Sequence, residues 1–322
     1  MSQPFLFINF SDYGGGEMKR TSIGGQAVIE GVMMRGTKTY TVAVRKPDKE
    51  IVMDKKPVTA VTTQYFLFKL PIFRGVAMFI DSMVLGIRTL TYSAQFFDVE
   101  EEVESSKFEK YLKDKFGSKL EDYIIGFSIF LSIILGIALF MVTPLLVSRL
   151  FRNIITNIWV QNLLEGAIRI SIFMIYIILI SKMKDIQRVF EYHGAEHKTI
   201  NCLEHEEELT VKNVKKYSRL HKSCGTSFLL IVMLTSVIVF VIFNVESIWL
   251  RLLSRIVLVP LIAGISYEII RWERRSDSRL ASLVSVPGMW LQKSFTTKEP
   301  DDAQIEVAIA ALEGVLEDEK VD

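Results

Sequence analysis

Four long, almost unbroken apolar stretches dominate the pattern of hydrophobic and polar residues. The first, "YIIGFSIFLSIILGIALFMVTPLLV", runs from about Tyr123 to Val147 and contains no charged residue. The others run from about Leu163 to Ile180, from Thr226 to Phe243 and from about Trp249 to Ile270. Because a helix needs about 20 mostly apolar residues to cross a bilayer, the pattern predicts a mainly α, polytopic membrane protein with four transmembrane helices.

Two of these predicted spans contain charged residues. Glu165 and Arg169 in the second span are four residues apart, so they share a helix face and can neutralise each other. We interpret them as an intrahelical pair near the lipid headgroups, and the alternative is a functional relay. The fourth span is apolar between Arg255 and Glu268 and contains Pro260.

The distribution of Lys and Arg in the short loops predicts the orientation of the spans. The loop between the second and third spans carries nine of these residues, whereas the loop between the third and fourth carries none. Since basic loops stay on the cytosolic side, we expect the first of these loops and both termini to face the cytosol.

Residues 21–64 have the shorter pattern of β-strands. The segments "QAVIEGVMM", "TYTVAV" and "EIVMDKKPV" are rich in β-branched residues and separated by Gly and Pro, which predicts a small cytosolic antiparallel sheet. Alternation would place Glu30 on one face with Val28 and Val32. We interpret Glu30 as a solvent-facing edge-strand residue, and the alternative is a carboxylate directed at the His/Cys region described below. Gly24, Gly25, Gly31 and Gly36 indicate tight turns or a close backbone approach.

Residues 65–97 form an apolar segment that charges interrupt at a regular spacing. Arg74, Asp81 and Arg88 are seven residues apart and therefore lie on one stripe of a helix. We prefer an amphipathic helix in the membrane interface, and the alternative is a helix packed among the others with Asp81 bridging two arginines. A charged connector follows at 98–122.

The C-terminal tail predicts one further helix. Pro300, Asp301 and Asp302 are typical of a helix start. The apolar stripe of this helix consists of Ile305, Ile309, Leu312 and Leu316. We therefore expect a helix that docks on the rest of the protein.

These patterns divide the chain into seven segments. The first 20 residues lack the basic start and long apolar run of a signal peptide, and we expect them to be disordered, with Met18 as an alternative start. The predicted segments are 1–20, the disordered N-terminus; 21–64, the sheet; 65–120, the interfacial helix and connector; 121–182, transmembrane helices one and two; 183–224, a cytosolic helical His/Cys loop; 225–271, transmembrane helices three and four; and 272–322, the cytosolic tail.

Composition narrows the classes of partner. Half of the residues are hydrophobic and the net charge is +1, so no global positive field favours nucleic acid. The expected partners are the lipid bilayer and a membrane or peripheral protein. Two cysteines cannot form a disulfide framework, and on the reducing side of a membrane a thiol or metal-ligand role is more common than a bridge.

All four histidines and both cysteines lie between positions 193 and 224. In "HGAEH", His193 and His197 are four residues apart and meet on one face of a helix, with Glu196 beside them. This is the H-x-x-E-H order of inverted zincins, in which two imidazoles bind Zn²⁺ and a carboxylate acts as general base. A third ligand must come from elsewhere in the chain.

The candidates for further ligands are His221, Cys224 and Glu268. His221 and Cys224 can share a helix face at the mouth of the third span, and Glu268 stands at the mouth of the fourth. Thr210 is a good N-cap for a helix over residues 211–221. A straight continuation of the second span would carry His193 about 20 Å beyond it, so the site requires a bend after Lys182.

His205 lies in the charged stretch "EHEEE", and we expect it to face solvent.

Five blocks of the sequence resemble a known family. They are "GGQAVIEGVMMRG" at 24–36, "FRGVAMFIDSM" at 73–83, "YHGAEHKTINCLE" at 192–204, "LHKSCGTSF" at 220–228 and the tail "PGMWLQKSFTTKEPDDAQIEVAIAALE". Together they are similar to the YqhQ-like family of bacterial membrane proteins over nearly everything after residue 20. The resemblance implies a bacterial plasma membrane location, and the family's label as a predicted metal-dependent enzyme implies the same roles for His193, Glu196 and His197.

Two functions remain open from the sequence. The first is a membrane-integral metal-dependent hydrolase, a class that includes peptidases, with a divalent metal, expected to be Zn²⁺, and Glu196 as general base. The second is a non-enzymatic scaffold or assembly factor in which the His/Cys cluster is structural.

Overall fold

The computed structural model describes residues 21–59, 66–97 and 120–319, apart from residues 223, 244, 246 and 277. The predictions for residues 1–20 and for the charged connector at 98–119 lie outside the described residues. Within them the protein is mainly helical and contains one small antiparallel sheet.

The sheet is a four-stranded antiparallel meander in the order β1-β2-β3-β4. Its strands are β1 (Gly24–Val28), β2 (Gly31–Arg35), β3 (Thr39–Arg45) and β4 (Ile51–Pro57). The predicted sheet is therefore present, but its first segment is a hairpin rather than one strand. The reason is the two-residue turn at Ile29 and Glu30, where Glu30 has a φ of 48°.

The position of Glu30 in this turn contradicts both interpretations of it. It does not alternate with Val28 and Val32, and its carboxylate is neither a free edge-strand group nor part of the His/Cys region. It accepts hydrogen bonds from the guanidinium of Arg188 and from the Tyr192 hydroxyl, the latter at 3.1 Å. Glu30 thus ties the hairpin to the helix over Lys184–Glu204.

The helices follow in chain order. They are α1 (Phe73–Ala94), α2 (Leu120–Ile137), α3 (Thr143–Leu150), α4 (Ile158–Ile180), α5 (Lys184–Glu204), α6 (Val211–Val214), α7 (Gly225–Ile242), α8 (Ile248–Val257), α9 (Val259–Arg275), α10 (Arg279–Leu291) and α11 (Asp302–Glu319). Short π-helical turns at Ala138–Val142 and Gln292–Thr296 follow α2 and α10.

Three of these helical segments are long and apolar enough to cross a membrane: Gly126–Leu150, Ile158–Ile180 and Gly225–Ile242. The fourth predicted span consists of two helices, α8 and α9, which meet at a bend of 41°. Counted as one broken span, this pair brings the number to four. The bend lies directly before Pro260, which cannot donate a backbone hydrogen bond to the preceding turn.

The sheet lies between two helical layers. On one face Val28, Met33, Val42 and Val44 pack against Leu85, Tyr92, Phe96 and Phe97 in and just after α1. On the other face Val32, Met34 and Ala43 pack with buried residues of α5 and α11. The predicted stripe of α11 faces this core, where Ile305 and Leu312 are fully buried.

Helix α11 begins with a reciprocal cap. The Asp301 carboxylate accepts the Gln304 backbone N–H at 2.8 Å, and the Gln304 side chain accepts the Asp301 N–H at 2.9 Å. This is the geometry of a capping box, which satisfies two otherwise unpaired donors.

Helix α1 packs against α9, so it is not isolated on the surface. Arg74 donates to Glu268 of α9, and Asp81 accepts from Arg35 of β2 at 2.7 Å. Asp81 therefore does not bridge two arginines of its own helix. The opposite face of α1 exposes large apolar residues, including Ile80, Met83 and Ile87, and its location in a membrane interface stays a prediction.

Glu165 belongs to a buried ionic cluster rather than to an isolated helical pair. Arg169 donates to it at 2.8 Å, and Arg255 of α8 donates at 3.2 and 3.3 Å. All three side chains are at most 4% exposed. Both guanidinium groups also lie over the ring of Phe240, with 4.8 Å and 4.1 Å between Cζ and the ring centroid. Glu165 therefore links α4 to α8.

Candidate metal centre

Helix α5 carries both histidines of "HGAEH". It is not a straight continuation of α4, because the chain turns at residues 181–183 and Met183 is extended at the start of α5, with φ −72° and ψ 131°. The required bend after Lys182 is thus present. One helical turn separates His193 from His197, and their ring centroids are 4.3 Å apart.

Gly194 allows a second chain segment to approach α5. A Cβ at this position would lie 2.0 Å from the carbonyl oxygen of Lys298, which no side chain can tolerate. The approach brings the end of the π-helical turn against the histidines, and the Thr296 carbonyl lies 2.7 Å from His193 Nδ1. The glycine that weakens helix propensity is therefore needed for the geometry of the site.

Cys224 enters the site as the N-cap of α7. Its sulfur accepts the backbone N–H of Thr226 at 3.4 Å and lies 3.1 Å from His193 Nε2. The expectation that it shares a helix face with His221 is wrong, because the helix begins only at Gly225. One ligand atom from each of His193, His197 and Cys224 lies within 4.8 Å of the other two.

The two imidazoles are held in the same tautomer. His193 Nδ1 faces the carbonyl oxygen of Thr296 at 2.7 Å, and His197 Nδ1 faces that of Arg219 at 2.8 Å. A carbonyl oxygen can only accept a hydrogen bond, so each neutral ring carries its hydrogen on Nδ1 and its lone pair on Nε2. Metal-binding histidines typically donate such a hydrogen bond from the ring nitrogen that does not bind the metal.

Glu196 is buried beside these ligands, at 4% exposure. Its carboxyl group approaches β1 so closely that a Cβ on Gly25 would lie 2.8 Å from three of its atoms. Its Oε2 is buried and has no hydrogen-bond partner among the described residues. Burial raises the pKa of Glu196 to about 8, although the neighbouring His193 opposes this shift. An unpartnered buried oxygen beside three ligand atoms fits a site built for a cation.

The pKa values of His197 and Cys224 are also shifted. Burial lowers the pKa of His197, which favours its neutral, ligand form. Burial also acts to raise the pKa of the Cys224 thiol, but the charge that His197 carries when protonated and the hydrogen bonds from Thr226 outweigh it, so that this pKa lies below its usual value. Both directions favour the protonation states that bind a metal.

A cavity of about 310 Å³ opens onto this cluster. Besides the three ligands and Glu196, residues of β1, apolar side chains of α5 and α7 and the guanidinium of Arg274 line the cavity. The β1 residues are Gly24, Gly25, Gln26 and Ala27, and the apolar side chains include Val189, Phe190 and Leu229. The size is at the lower end of the range for small-ligand sites.

Of the other predicted site residues, His221 lies close to the cluster and Glu268 does not. The ring of His221 lies 5.7 Å from that of His197 and lines the cavity, but its Nε2 faces Glu204 at 3.3 Å. The Gln292 side chain bonds the backbone of His221 in both directions, at 3.0 and 2.9 Å. Glu268 is paired with Arg74 and is not among the residues that line the cavity.

The remaining histidine and cysteine lie outside the cluster. His205 is half-buried rather than fully solvent-facing, since its ring packs 4.7 Å from that of Tyr217 and its Nδ1 faces the Asn201 carbonyl. Cys202 is buried and unbridged. The expected helix over residues 211–221 is also only Val211–Val214, although Thr210 caps it through the Asn213 N–H at 3.3 Å.

Sequence reasoning missed the groups that position the ligands. The carbonyls of Thr296 and Arg219 orient the imidazoles, and no side-chain pattern reveals a backbone acceptor. Gly25 is the exception, because the sequence already indicates a tight turn or a close backbone approach there, and Gly25 does lie against Glu196.

Comparison with known proteins places the chain in a family. It is 35% identical over 295 residues to the uncharacterized protein YqhQ of Bacillus subtilis (strain 168), which covers 91% of this chain and 92% of that protein. No solved structure matches. The model of the family described as "Protein of unknown function (DUF1385)" matches residues 70–318. The resemblance to YqhQ-like proteins is therefore confirmed, and the chain belongs to the DUF1385 family.

Proposed function

We propose that this protein is a membrane-integral, metal-dependent hydrolase whose centre comprises His193, His197 and Cys224. The observation that carries the proposal is the shared tautomer of the two histidines, which leaves both Nε2 lone pairs beside a thiol of lowered pKa. Three protein ligands and one open position are characteristic of catalytic zinc sites. A divalent metal bound there would supply Lewis acidity to a scissile carbonyl and to water.

Glu196 is the general base of the proposed reaction. Its Oε2 is the buried oxygen without a partner among the described residues, so it can take a proton from water and deliver it to the leaving group. Gly25 of β1 packs against the same side chain. Arg219 has a positioning role, because its backbone carbonyl orients His197 and its guanidinium bonds Thr297.

Cobalt substitution tests the ligand set directly. We expect about one equivalent of metal per chain and, with Co²⁺, the near-ultraviolet absorption of a thiolate–cobalt bond. Cys224→Ser should abolish this band, whereas Cys202→Ser should keep it, because that cysteine is buried outside the cluster. Less than about 0.2 equivalents of bound metal at neutral pH, or an unchanged band in Cys224→Ser, would refute the proposed centre.

The scaffold alternative is supported by the N-capping role of Cys224, which is structural without a metal. Glu196→Gln separates the two functions. In a hydrolase it keeps metal and fold but abolishes cleavage of a quenched fluorescent peptide library. In a scaffold, Glu196→Gln leaves the scaffold function intact, while Cys224→Ser lowers the stability of the metal-free protein through the lost cap, by about 1 kcal/mol.

A further inference from the structure

Among the residues that the structure describes, strand β1 is an edge strand, and its unpaired edge borders the candidate metal centre. The strand order makes β2 its neighbour on one side, and on the other side Gly24–Ala27 line the cavity. Unpaired strand edges are templates for pairing with a further strand.

The register identifies which backbone groups face the cavity. Val28 and Gly31 flank the two-residue turn and pair with each other, and Gln26 pairs with Met33. Residues that flank such a turn exchange hydrogen bonds, and in an antiparallel ladder bonded and non-bonded pairs alternate. Gly25 and Ala27 therefore direct their N–H and C=O groups away from β2.

The Gly25 N–H lies beside the Glu196 carboxyl group. The other outward groups are the Gly25 C=O, the Ala27 N–H and the Ala27 C=O. They form no hydrogen bond with the residues that the structure describes. Both residues are only half-buried, so a ligand in the cavity can reach them.

We infer that the substrate of the proposed hydrolase is an extended polypeptide segment, which adds to the edge of β1 at Ala27. The inference rests on the proposed function and names the substrate class for the same site. A polypeptide is the ligand whose repeating N–H and C=O groups complement those of an edge strand. Apolar cavity residues such as Phe190 and Leu229 favour apolar side chains on the segment.

A segment paired with β1 would carry a peptide carbonyl close to the ligands, since Gly25 lies against Glu196, which neighbours His193 and His197 on α5. Hydrolysis then adds the oxygen of water to the carbonyl carbon and breaks the C–N bond. Glu196 takes one proton from the water and passes it to the departing amine nitrogen. The products are a carboxylic acid and an amine, and no oxidant or reductant is required.

Binding of two hydroxamates to the zinc-loaded, full-length protein tests the inference. Acetohydroxamate reports on the metal alone, whereas N-acetyl-leucyl-leucine hydroxamate adds a backbone that can pair with β1. We expect the dipeptide compound to bind at least about tenfold more tightly, and most of this advantage to be lost when both of its amides are N-methylated. Isothermal titration in detergent gives each Kd.

Ala27→Pro removes the outward N–H without removing a bond to β2, and proline is tolerated on edge strands. It should reduce the dipeptide advantage about tenfold and leave acetohydroxamate binding unchanged. Met53→Pro is the matched control. The Lys46 N–H bonds the Glu50 carbonyl, so by alternation Met53, opposite Ala43, faces outward from the other edge strand. It should retain the full advantage.

The possible outcomes separate the two claims. If wild type and Ala27→Pro show the same advantage, and N-methylation has no effect, strand pairing is refuted while the metal centre stands. If neither hydroxamate binds to the zinc-loaded protein, the metal centre and the strand pairing are both overturned. Binding of the N-methylated compound is measured on wild-type protein, so the conclusion does not depend on the folding of Ala27→Pro.

Discussion

Glu196 gives the metal-free protein a pH dependence whose size follows from its burial. Its pKa is raised from 4.5 to about 8, so the folded state retains a proton that the unfolded state releases. The stability is then complete below about pH 4.5 and declines as the pH rises towards 8. At pH 7 the 2.5-unit interval corresponds to about 3 kcal/mol. Glu196→Gln removes this term because the amide does not ionise.

The measurement is denaturant unfolding of the metal-free protein and of Glu196→Gln in one detergent, from about pH 5 to about pH 8. We expect similar free energies of unfolding at pH 5 and a variant that is more stable by about 3 kcal/mol at pH 7. Zinc should narrow this difference, since a nearby cation favours the carboxylate. Parallel curves for both proteins across the pH range would show that Glu196 is not a buried, protonated acid.

Three further predictions concern the packing around the site, the ligands and the buried charges. Gly194→Ala should destabilise the protein by about 3 kcal/mol and weaken zinc binding, because its Cβ would meet the Lys298 carbonyl at 2.0 Å. The control is Gly225→Ala, whose Cβ would have no atom within 4 Å. It should lower the free energy of unfolding by less than about 1 kcal/mol in the same assay. The zinc Kd, measured by competition with a chelator, should increase about tenfold per unit as the pH falls below the lowered pKa of Cys224, since one proton must leave the thiol; a pH-independent Kd would exclude the thiolate as a ligand. Glu165→Gln should cost about 3–5 kcal/mol in unfolding measurements because it leaves two buried guanidinium groups uncompensated, whereas Glu306→Gln, at an exposed pair with Arg45, should stay within about 0.5 kcal/mol.

The helical parts of the fold follow from the sequence because their signals are long or repeated. Apolar runs of 18 to 25 residues give an unambiguous signal, and three of the predicted spans are single helical stretches. The stripe Ile305, Ile309 and Leu312 repeats at helical spacing, and all three side chains are buried. In these elements local periodicity and tertiary packing agree.

Short-range signals were less informative where a single residue changes the backbone direction. In a continuous strand Glu30 would lie on the same face as Val28 and Val32, but its positive φ places it in the turn of a hairpin. Likewise, the i, i+3 spacing of His221 and Cys224 suits a helix, but α7 begins only after both.

Candidate ligands were separated by contacts that sequence spacing cannot reveal. Glu268 was a plausible ligand until α1 supplied Arg74 as its partner. The partner lies 194 residues away in sequence, so only tertiary structure could remove Glu268 from the set. The pair His193 and His197 was predictable because both come from one helix, whereas Cys224 was one of several alternatives for a third ligand.

The separation of the ligands along the chain has a mechanical consequence. His193 belongs to the helix that covers the sheet, and Cys224, 31 residues later, caps a helix apolar enough to cross a membrane. An ion bound to both would cross-link these two parts and close a loop of that length. By the chain-entropy relation for cross-links, such a closure stabilises the folded state by about 4 kcal/mol. Removing the ion would therefore loosen the joint between the helix on the sheet and the apolar helix α7, as well as empty the site.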